Sequence, residues 1–152
     1  MLKDAGVDFS KHKDEGIELS LFAEHLFTSG LVLSSNIIWI CFHGVFDFAY
    51  LLKLVTGENK LPENKEAFKK LLDLYFPNIY DVKVLGEPFP HLHGSLSKTC
   101  QILQIEGSNL KHQAGNDSRL TSKAFFELLK LYTYETLKEK HNKIFGIDIE
   151  EY

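Results

Sequence analysis

Two short stretches of the sequence carry an acidic side chain where a helix is expected to begin. In the first, Asp47 follows the apolar run at 37–42. The second contains both His112 and Asp117. Carboxylates are the hard oxygen ligands that Mg²⁺ prefers, and a neutral histidine can accept a proton near physiological pH. Side chains of these types could therefore bind a divalent ion or transfer a proton.

Both acids also fit a purely structural role. A carboxylate in the first turn of a helix caps backbone N–H groups and interacts favourably with the helix dipole, and spacing alone favours this explanation. On a regular helix, the five residues from His112 to Asp117 rotate by about 500°, so the two side chains would not share a face. For both to reach one site the chain must turn between them, and we expect Gly115 and Asn116 to allow that turn.

The elements that would position these residues alternate between helices and strands. Strands are predicted at 37–42 and 79–82, and the continuous apolar character of the first indicates a strand buried on both faces. Asp81, at the end of the second, is expected to be structural. Helices are predicted between Ser20 and Gly30, up to Gly57, from Leu61 to before Pro77, after Ser95, and from Asp117 through Tyr132. This order predicts an α/β fold.

Composition restricts the functional classes. A chain of 152 residues suits one domain or most of one, and a net charge of −4 argues against a protein that coats nucleic acid. An acidic cleft filled with metal ions remains compatible with that charge.

Cys41 and Cys100 follow no metal or disulfide pattern and fit a reducing compartment. The first residues contain no signal-type apolar region and no run reaches about 18 apolar residues, so we expect neither secretion nor a membrane span.

The motifs of the chain resemble those of a known family, in order and along nearly the whole sequence. The segment His112-Gln-Ala-Gly-Asn-Asp117-Ser-Arg-Leu-Thr121 is similar to the third exonuclease motif of the His-containing DEDD nucleases. The segment 35–54 around Asp47 is similar to the second motif of the CAF-type (POP-type) poly(A) ribonucleases. The likeness continues through the segments 22–30, 71–77, 80–83 and 124–126. The chain thus resembles the carboxy-terminal part of such a deadenylase domain.

This resemblance implies an RNase H-like exonuclease fold that lacks its amino-terminal strands, with residues 1–152 forming a single partial domain. It implies 3′→5′ removal of AMP from poly(A) with two divalent ions, Mg²⁺ or Mn²⁺. It makes His112 the general base, and Asp47 and Asp117 metal ligands. Aromatic rings near Asp47 could stack on a base, with core packing as the alternative for most of them; these candidates are Phe42, His43, Phe46 and Tyr50.

The family also has an Asp-x-Glu motif on its first strand, and no such motif stands in an apolar strand before Asp47. Two carboxylates are few for two Mg²⁺ ions, so we expect the chain to be inactive alone. The implied partners are the 3′ end of poly(A) RNA and the scaffold and second nuclease of the CCR-NOT deadenylase complex, in the cytoplasm and also the nucleus. The alternatives are a non-catalytic interaction module of that complex and, less favoured, a DEDD exonuclease acting on DNA.

Overall fold

A computed structural model describes residues 6–58, 60–107 and 113–149 and shows an α/β fold, as predicted. In chain order the elements are α1 (Phe9–Glu15), α2 (Leu19–Thr28), β1 (Trp39–Cys41), α3 (Val45–Thr56), α4 (Lys65–Tyr75), β2 (Ile79–Asp81), α5 (Val82–Gly86), a 3₁₀ turn (Pro90–Leu92), α6 (Leu96–Ile102), α7 (Ala114–Leu129) and α8 (Tyr134–Lys138). The two strands pair in parallel, with Trp39 opposite Ile79. In the described part of the chain, no helix is long and apolar enough to cross a membrane.

The small sheet lies between two helical layers. Successive side chains of a strand point to opposite faces. Trp39 and Cys41 accordingly pack with the cluster built by α2, α3 and α4, which is centred on Phe48, Leu52 and Leu72. Ile40 instead packs with the cluster built by α5, α6 and α7. The β1–α3 and β2–α5 connections therefore open at the same end of the sheet.

Several helix boundaries agree with the sequence prediction. At these boundaries a nearby residue forms a hydrogen bond with a free backbone group at the helix end, or a proline stops the helix. Gly57 adopts a left-handed conformation, with φ of 68°, and its N–H bonds to the carbonyl of Lys53 at the end of α3. The Ser95 side chain accepts the N–H of Lys98 and begins α6. The helix before Pro77 ends at Tyr75.

Other boundaries differ from the prediction. Helix α4 begins after Asn64, whose side chain accepts the N–H of Ala67, and not at Leu61. The Asn64 side chain satisfies a backbone N–H at the start of the helix, which a proline ring cannot do because it has no acceptor. Helix α2 begins after Glu18, so Ser20 lies within it and is not its N-cap.

Three short helices, α1, α5 and α8, were not predicted from the sequence. Each begins with a side chain that accepts a backbone N–H: Asp8 before α1, Asp81 before α5 and Thr133 before α8. Helices α5 and α8 have only five residues each, too few to show an apolar period, and α1 contains a single apolar residue, Phe9.

The prediction of a strand over 37–42 that is buried on both faces is wrong. β1 covers only Trp39–Cys41, and all three residues are partly exposed. Ile38, just before it, is 58% exposed. Among the described residues β1 has a strand neighbour on one edge only, and an edge strand cannot be enclosed as a central strand is.

Candidate functional site

A cleft of about 740 Å³ beside β1 brings Asp47 and Asp117 together. Asp47 lies in the first turn of α3 and Asp117 in the first turn of α7, as the sequence predicted. The remaining lining residues come from β1, α3, α6, α7 and their flanking turns: Trp39, Ile40, Cys41, Phe42, Phe48, Leu51, Ser95, Leu96, Ser97, Ala114, Ser118 and Thr121. Two acids that are far apart in sequence, on helices from opposite layers of the sheet, thus face one space.

Both carboxylates remain available for a ligand. Asp47 is exposed and Asp117 is partly exposed. The backbone of Asp117 is held in α7, where its N–H bonds to the Gln113 carbonyl at 2.9 Å and its carbonyl accepts the Thr121 hydroxyl at 2.8 Å. Within the described ranges, neither carboxylate forms an ion pair with a basic side chain. Since the first turn of a helix favours negative charge, both positions suit a carboxylate.

The two carboxylates fit one part of a divalent-cation site. Mg²⁺ keeps several waters and is commonly held by one or two carboxylates together with substrate phosphates. Asp47 and Asp117 match that donor chemistry. Across 6–58, 60–107 and 113–149, however, no group of three or more His, Cys, Asp or Glu side chains could hold a metal. The donor set in the described chain is therefore compatible with such an ion but incomplete.

His112 lies outside the described residues, so its role as general base stays a prediction. The turn expected at Gly115 and Asn116 is wrong, because both residues lie within α7. Asn116 instead accepts a hydrogen bond from Arg119 one turn later. The chain leaves the helical path at Gln113, which is extended with φ of −106° and ψ of 109°. Helix α7 therefore begins at Ala114, directly after an extended residue.

The four aromatic candidates for base stacking occupy three different settings. Phe42 lines the cleft. Phe46 and Tyr50 lie one turn apart on α3, and 69% and 75% of their surfaces are exposed, but they are not lining residues. The ring of His43 packs edge-on against Phe145, with centroids 5.1 Å apart, and lies outside the lining. Of these four, only Phe42 therefore faces the same space as the two acids.

Asp81 forms a buried centre at the end of β2, next to the turn that follows β1. It is fully buried. One carboxylate oxygen accepts the N–H groups of His43 at 2.7 Å and Lys83 at 3.0 Å. The other accepts those of Gly44 at 3.3 Å and Phe145 at 3.2 Å. This gives Asp81 the structural role that was expected, but its extent was missed because three of the four donors are distant in sequence.

Burial controls the ionisation of the groups around this centre. Burial raises the pKa of the Asp81 carboxyl, and its four N–H donors lower the pKa in part. Burial also raises the pKa of the Cys41 thiol well above its ordinary value, and the negative charge of Asp81 adds to that shift. Cys41 lines the cleft, yet its thiol is held in the protonated form and is a poor nucleophile.

The turn between β1 and α3 is tightly fixed. His43 has a φ of 56°, in the left-handed region where histidine is found more often than most residues. A Cβ on Gly44 would lie 2.5 Å from the Cys41 sulfur, so glycine is needed for this close approach. Gly44 N-caps α3 without a side-chain bond of its own. Asp81 therefore holds the turn that presents Asp47.

Comparisons with known proteins identify the family. Residues 24–125 match the model of the CAF1 family ribonuclease. The chain is similar to the probable CCR4-associated factor 1 homolog 7 of Arabidopsis thaliana, with 39% identity over 99% of this chain and 54% of that protein. It is also similar to the poly(A) ribonuclease pop2 of Schizosaccharomyces pombe, with 40% identity over 97% of this chain and 44% of that protein. The chain spans about half the length of the curated relatives it matches.

Solved structures agree with this comparison. The S. pombe Pop2p structure, in its Mg²⁺- and Mn²⁺-bound form, matches with a TM-score of 0.85 and 40% identity over 94% of this chain and 57% of that one. A yeast CAF1 co-crystallised with the NOT1 MIF4G domain matches with a TM-score of 0.81 and 25% identity, over 91% and 57%. The RNase domain of yeast Pop2 also matches, with a TM-score of 0.81 and 28% identity, over 97% and 58%. The architecture is therefore part of the fold of these RNase domains, and the chain belongs to the CAF1 ribonuclease family.

Proposed function

We propose that this chain carries part of the active site of a poly(A)-specific 3′→5′ exoribonuclease that releases AMP from mRNA tails. The observation that carries the proposal is the convergence of Asp47 and Asp117 on one cleft. Membership of a ribonuclease family supports the reaction class. The S. pombe relative is itself named a poly(A) ribonuclease, which supports the substrate.

In this proposal Asp47 and Asp117 hold divalent ions. A complete site contains two such ions, which are Mg²⁺ or Mn²⁺. Such ions stabilise negative charge on the attacking and leaving oxygens of a phosphodiester. The Mg²⁺- and Mn²⁺-bound state of the S. pombe relative supports this choice. The remaining carboxylates belong to an Asp-x-Glu motif outside this chain, so the chain alone is inactive in our proposal.

We assign His112 the role of general base, which accepts the proton of the attacking water. A neutral imidazole suits that step near physiological pH. Its place in the chain supports the assignment, because His112 is two residues before the start of α7 at Ala114. The first turn of that helix carries Asp117, so the base and the metal ligand would belong to one short segment.

For RNA binding we propose that Phe42 stacks on a base, because its ring lines the cleft and stacking on aromatic rings is a common way to hold single strands. Phe46 and Tyr50, exposed on α3, extend this contact outside the cleft. His43 belongs to the same turn, but its ring already packs against Phe145. We therefore rank Phe42 first among the four.

The partner proposal is a deadenylase complex. A yeast CAF1 was co-crystallised with the MIF4G domain of NOT1, which supports docking of this chain on a homologous scaffold. We further propose a second nuclease subunit in the same complex and a location in the cytoplasm and the nucleus, where mRNA tails are present.

The test is a chimera in which this chain replaces the matching part of S. pombe Pop2. With Mg²⁺ and a 5′-labelled oligoadenylate, we expect stepwise shortening and release of AMP. Asp47→Asn or Asp117→Asn should lower the rate by about 100-fold or more, the scale seen when one electrostatic group is removed from an active site. Asp73→Asn, on the partly exposed surface of α4, is the matched control. Full activity of both site variants would contradict the proposal.

A non-catalytic interaction module is the second candidate. It is favoured by one observation: in the described ranges no group of three or more potential metal ligands exists. The same chimera separates the two functions. A chimera that binds the NOT1 MIF4G domain but leaves the oligoadenylate intact would support the interaction module.

A further inference from the structure

The polar side chains of the cleft are unevenly distributed. On the α3 side, the lining residues other than Asp47 are apolar, namely Phe48 and Leu51. On the side formed by α6, α7 and their flanking turns, most of the lining residues carry a hydroxyl group. We call this side the hydroxyl wall, after the four residues that supply these groups: Ser95, Ser97, Ser118 and Thr121.

Two hydroxyls of this wall are already used by the protein. The Ser95 side chain accepts a backbone N–H of α6 at 3.3 Å, and the Thr121 hydroxyl donates to the Asp117 carbonyl at 2.8 Å. In the described part of the chain, the hydroxyls of Ser97 and Ser118 form no hydrogen bond with the protein. A serine hydroxyl can both donate and accept, so these two groups keep both capacities for a ligand in the cleft.

The two serines lie on the same side of the cleft as Asp117. Ser118 follows Asp117 directly in α7, and both residues line the cleft. Helix α6, which carries Ser97, packs against α7. In the proposed function the phosphate that is cleaved lies close to Asp117, and the released AMP keeps that phosphate on the 5′ oxygen of its own sugar. The sugar of the 3′-terminal nucleotide is therefore brought to the hydroxyl wall.

The chemistry of the wall suits a sugar better than a base. The N6/N7 edge of adenine is commonly bound by the amide of Asn or Gln, and no described residue of either type lines the cleft. A ribose 2′-hydroxyl both donates and accepts, and it is the group by which a protein distinguishes RNA from DNA. We propose that Ser97 and Ser118 bind the 2′-hydroxyl of the 3′-terminal nucleotide and thereby select RNA over DNA. This inference rests on the proposed exoribonuclease function and adds the residues that determine its sugar specificity.

The test uses the chimera in which this chain replaces the matching part of S. pombe Pop2. Two 5′-labelled oligoadenylates are compared, which differ only in the 2′-hydroxyl of the 3′-terminal nucleotide, and kcat/KM is measured for the first cleavage. We expect the unaltered chimera to prefer the ribose end by about tenfold or more. Ser97→Ala and Ser118→Ala should each lower this preference by about threefold or more, whereas Ser20→Ala, exposed on α2 and outside the cleft, should keep it. No preference in the unaltered chimera, or an undiminished preference in both site variants, would overturn the proposal.

A binding measurement separates this inference from the nuclease function. Fluorescence anisotropy gives the Kd of the same two oligoadenylates in EDTA, which removes the metal needed for turnover. If the chimera cleaves neither oligoadenylate in Mg²⁺, the nuclease function fails and the two Kd values alone decide. Tighter binding of the ribose end, lost in Ser97→Ala and Ser118→Ala but kept in Ser20→Ala, would support the sugar contact. Equal Kd values for the two oligoadenylates in the unaltered chimera would overturn it.

Discussion

The Asp81 carboxylate accepts the backbone N–H of His43 at 2.7 Å and so joins the end of β2 to the turn that follows β1. Its second oxygen accepts the N–H of Gly44 and, from a segment near the end of the chain, that of Phe145. The turn is thus fixed by a distant buried carboxylate, since Gly44 brings no side chain to cap α3. The position of Asp47 in the cleft depends on this contact.

We predict that Asp81→Asn lowers the free energy of unfolding by about 3 kcal/mol, because an amide nitrogen would face two backbone N–H donors in a buried site. Urea denaturation measures this change. The control is Asp73→Asn, which removes a partly exposed ion pair with Lys69 and should cost about 1 kcal/mol or less. Equal losses in the two variants would show that the Asp81 contacts are weak.

Cys41 should react slowly with iodoacetamide. Burial, followed by the charge of Asp81, raises the pKa of its thiol, so less thiolate is present at a given pH than in an unfolded chain. The pH at which alkylation becomes fast should lie above the ordinary thiol pKa of ~8.5. Mass spectrometry of the Cys41 peptide, with the urea-unfolded chain as control, gives both profiles, and identical profiles would contradict the prediction.

Two glycine substitutions should have opposite effects on stability. Gly44→Ala should destabilise the chain by about 2 kcal/mol, because the new Cβ would meet the Cys41 side chain at 2.5 Å. Gly115→Ala has nothing within 4 Å and lies in α7, so it should stabilise by up to about 1 kcal/mol. Thermal melts of the pair test this, and a stabilising Gly44→Ala would be inconsistent with a closely packed turn.

The hydroxyl of Tyr132 should ionise at a higher pH than that of an ordinary tyrosine. Its hydroxyl donates to the Leu85 carbonyl at 2.6 Å, and burial, followed by the charge of Glu87, raises its pKa to about 12. The stability from this group is complete below the ordinary tyrosine pKa of ~10 and is lost as the pH rises through the folded-state value. Tyr132→Phe should cost about 1 kcal/mol at neutral pH, and the exposed Tyr134→Phe much less. Burial also raises the pKa of Tyr80, so ultraviolet titration of both variants is read at the step near pH 12. That step should be lost in Tyr132→Phe and kept in Tyr134→Phe, and its persistence in Tyr132→Phe would contradict the assignment.

The placement of the two cleft acids could be predicted because it is local. Asp47 follows an apolar run and Asp117 precedes a clear apolar stripe, and each lies in a first helical turn. The α/β class followed from the same alternation of helices and strands. The α4 start at Asn64 was missed because Pro62 gave a competing signal.

Tertiary contacts decided what the sequence could not predict. The donors to Asp81 come from three separate segments, and no local pattern links them. The apolar run at 37–42 suggested an enclosed strand, but enclosure depends on a neighbour along the second edge, which the described chain lacks. The expected turn at Gly115 failed because helix propagation through α7 outweighs the preference of one glycine.

The most direct test of the proposed metal site is Mn²⁺ binding to the 152-residue chain, followed by electron paramagnetic resonance. We predict that the chain binds Mn²⁺, that Asp47→Asn and Asp117→Asn each weaken binding by about tenfold or more, and that Asp73→Asn binds as the unaltered chain does. Equal Mn²⁺ affinity in the unaltered chain and all three variants would contradict the site.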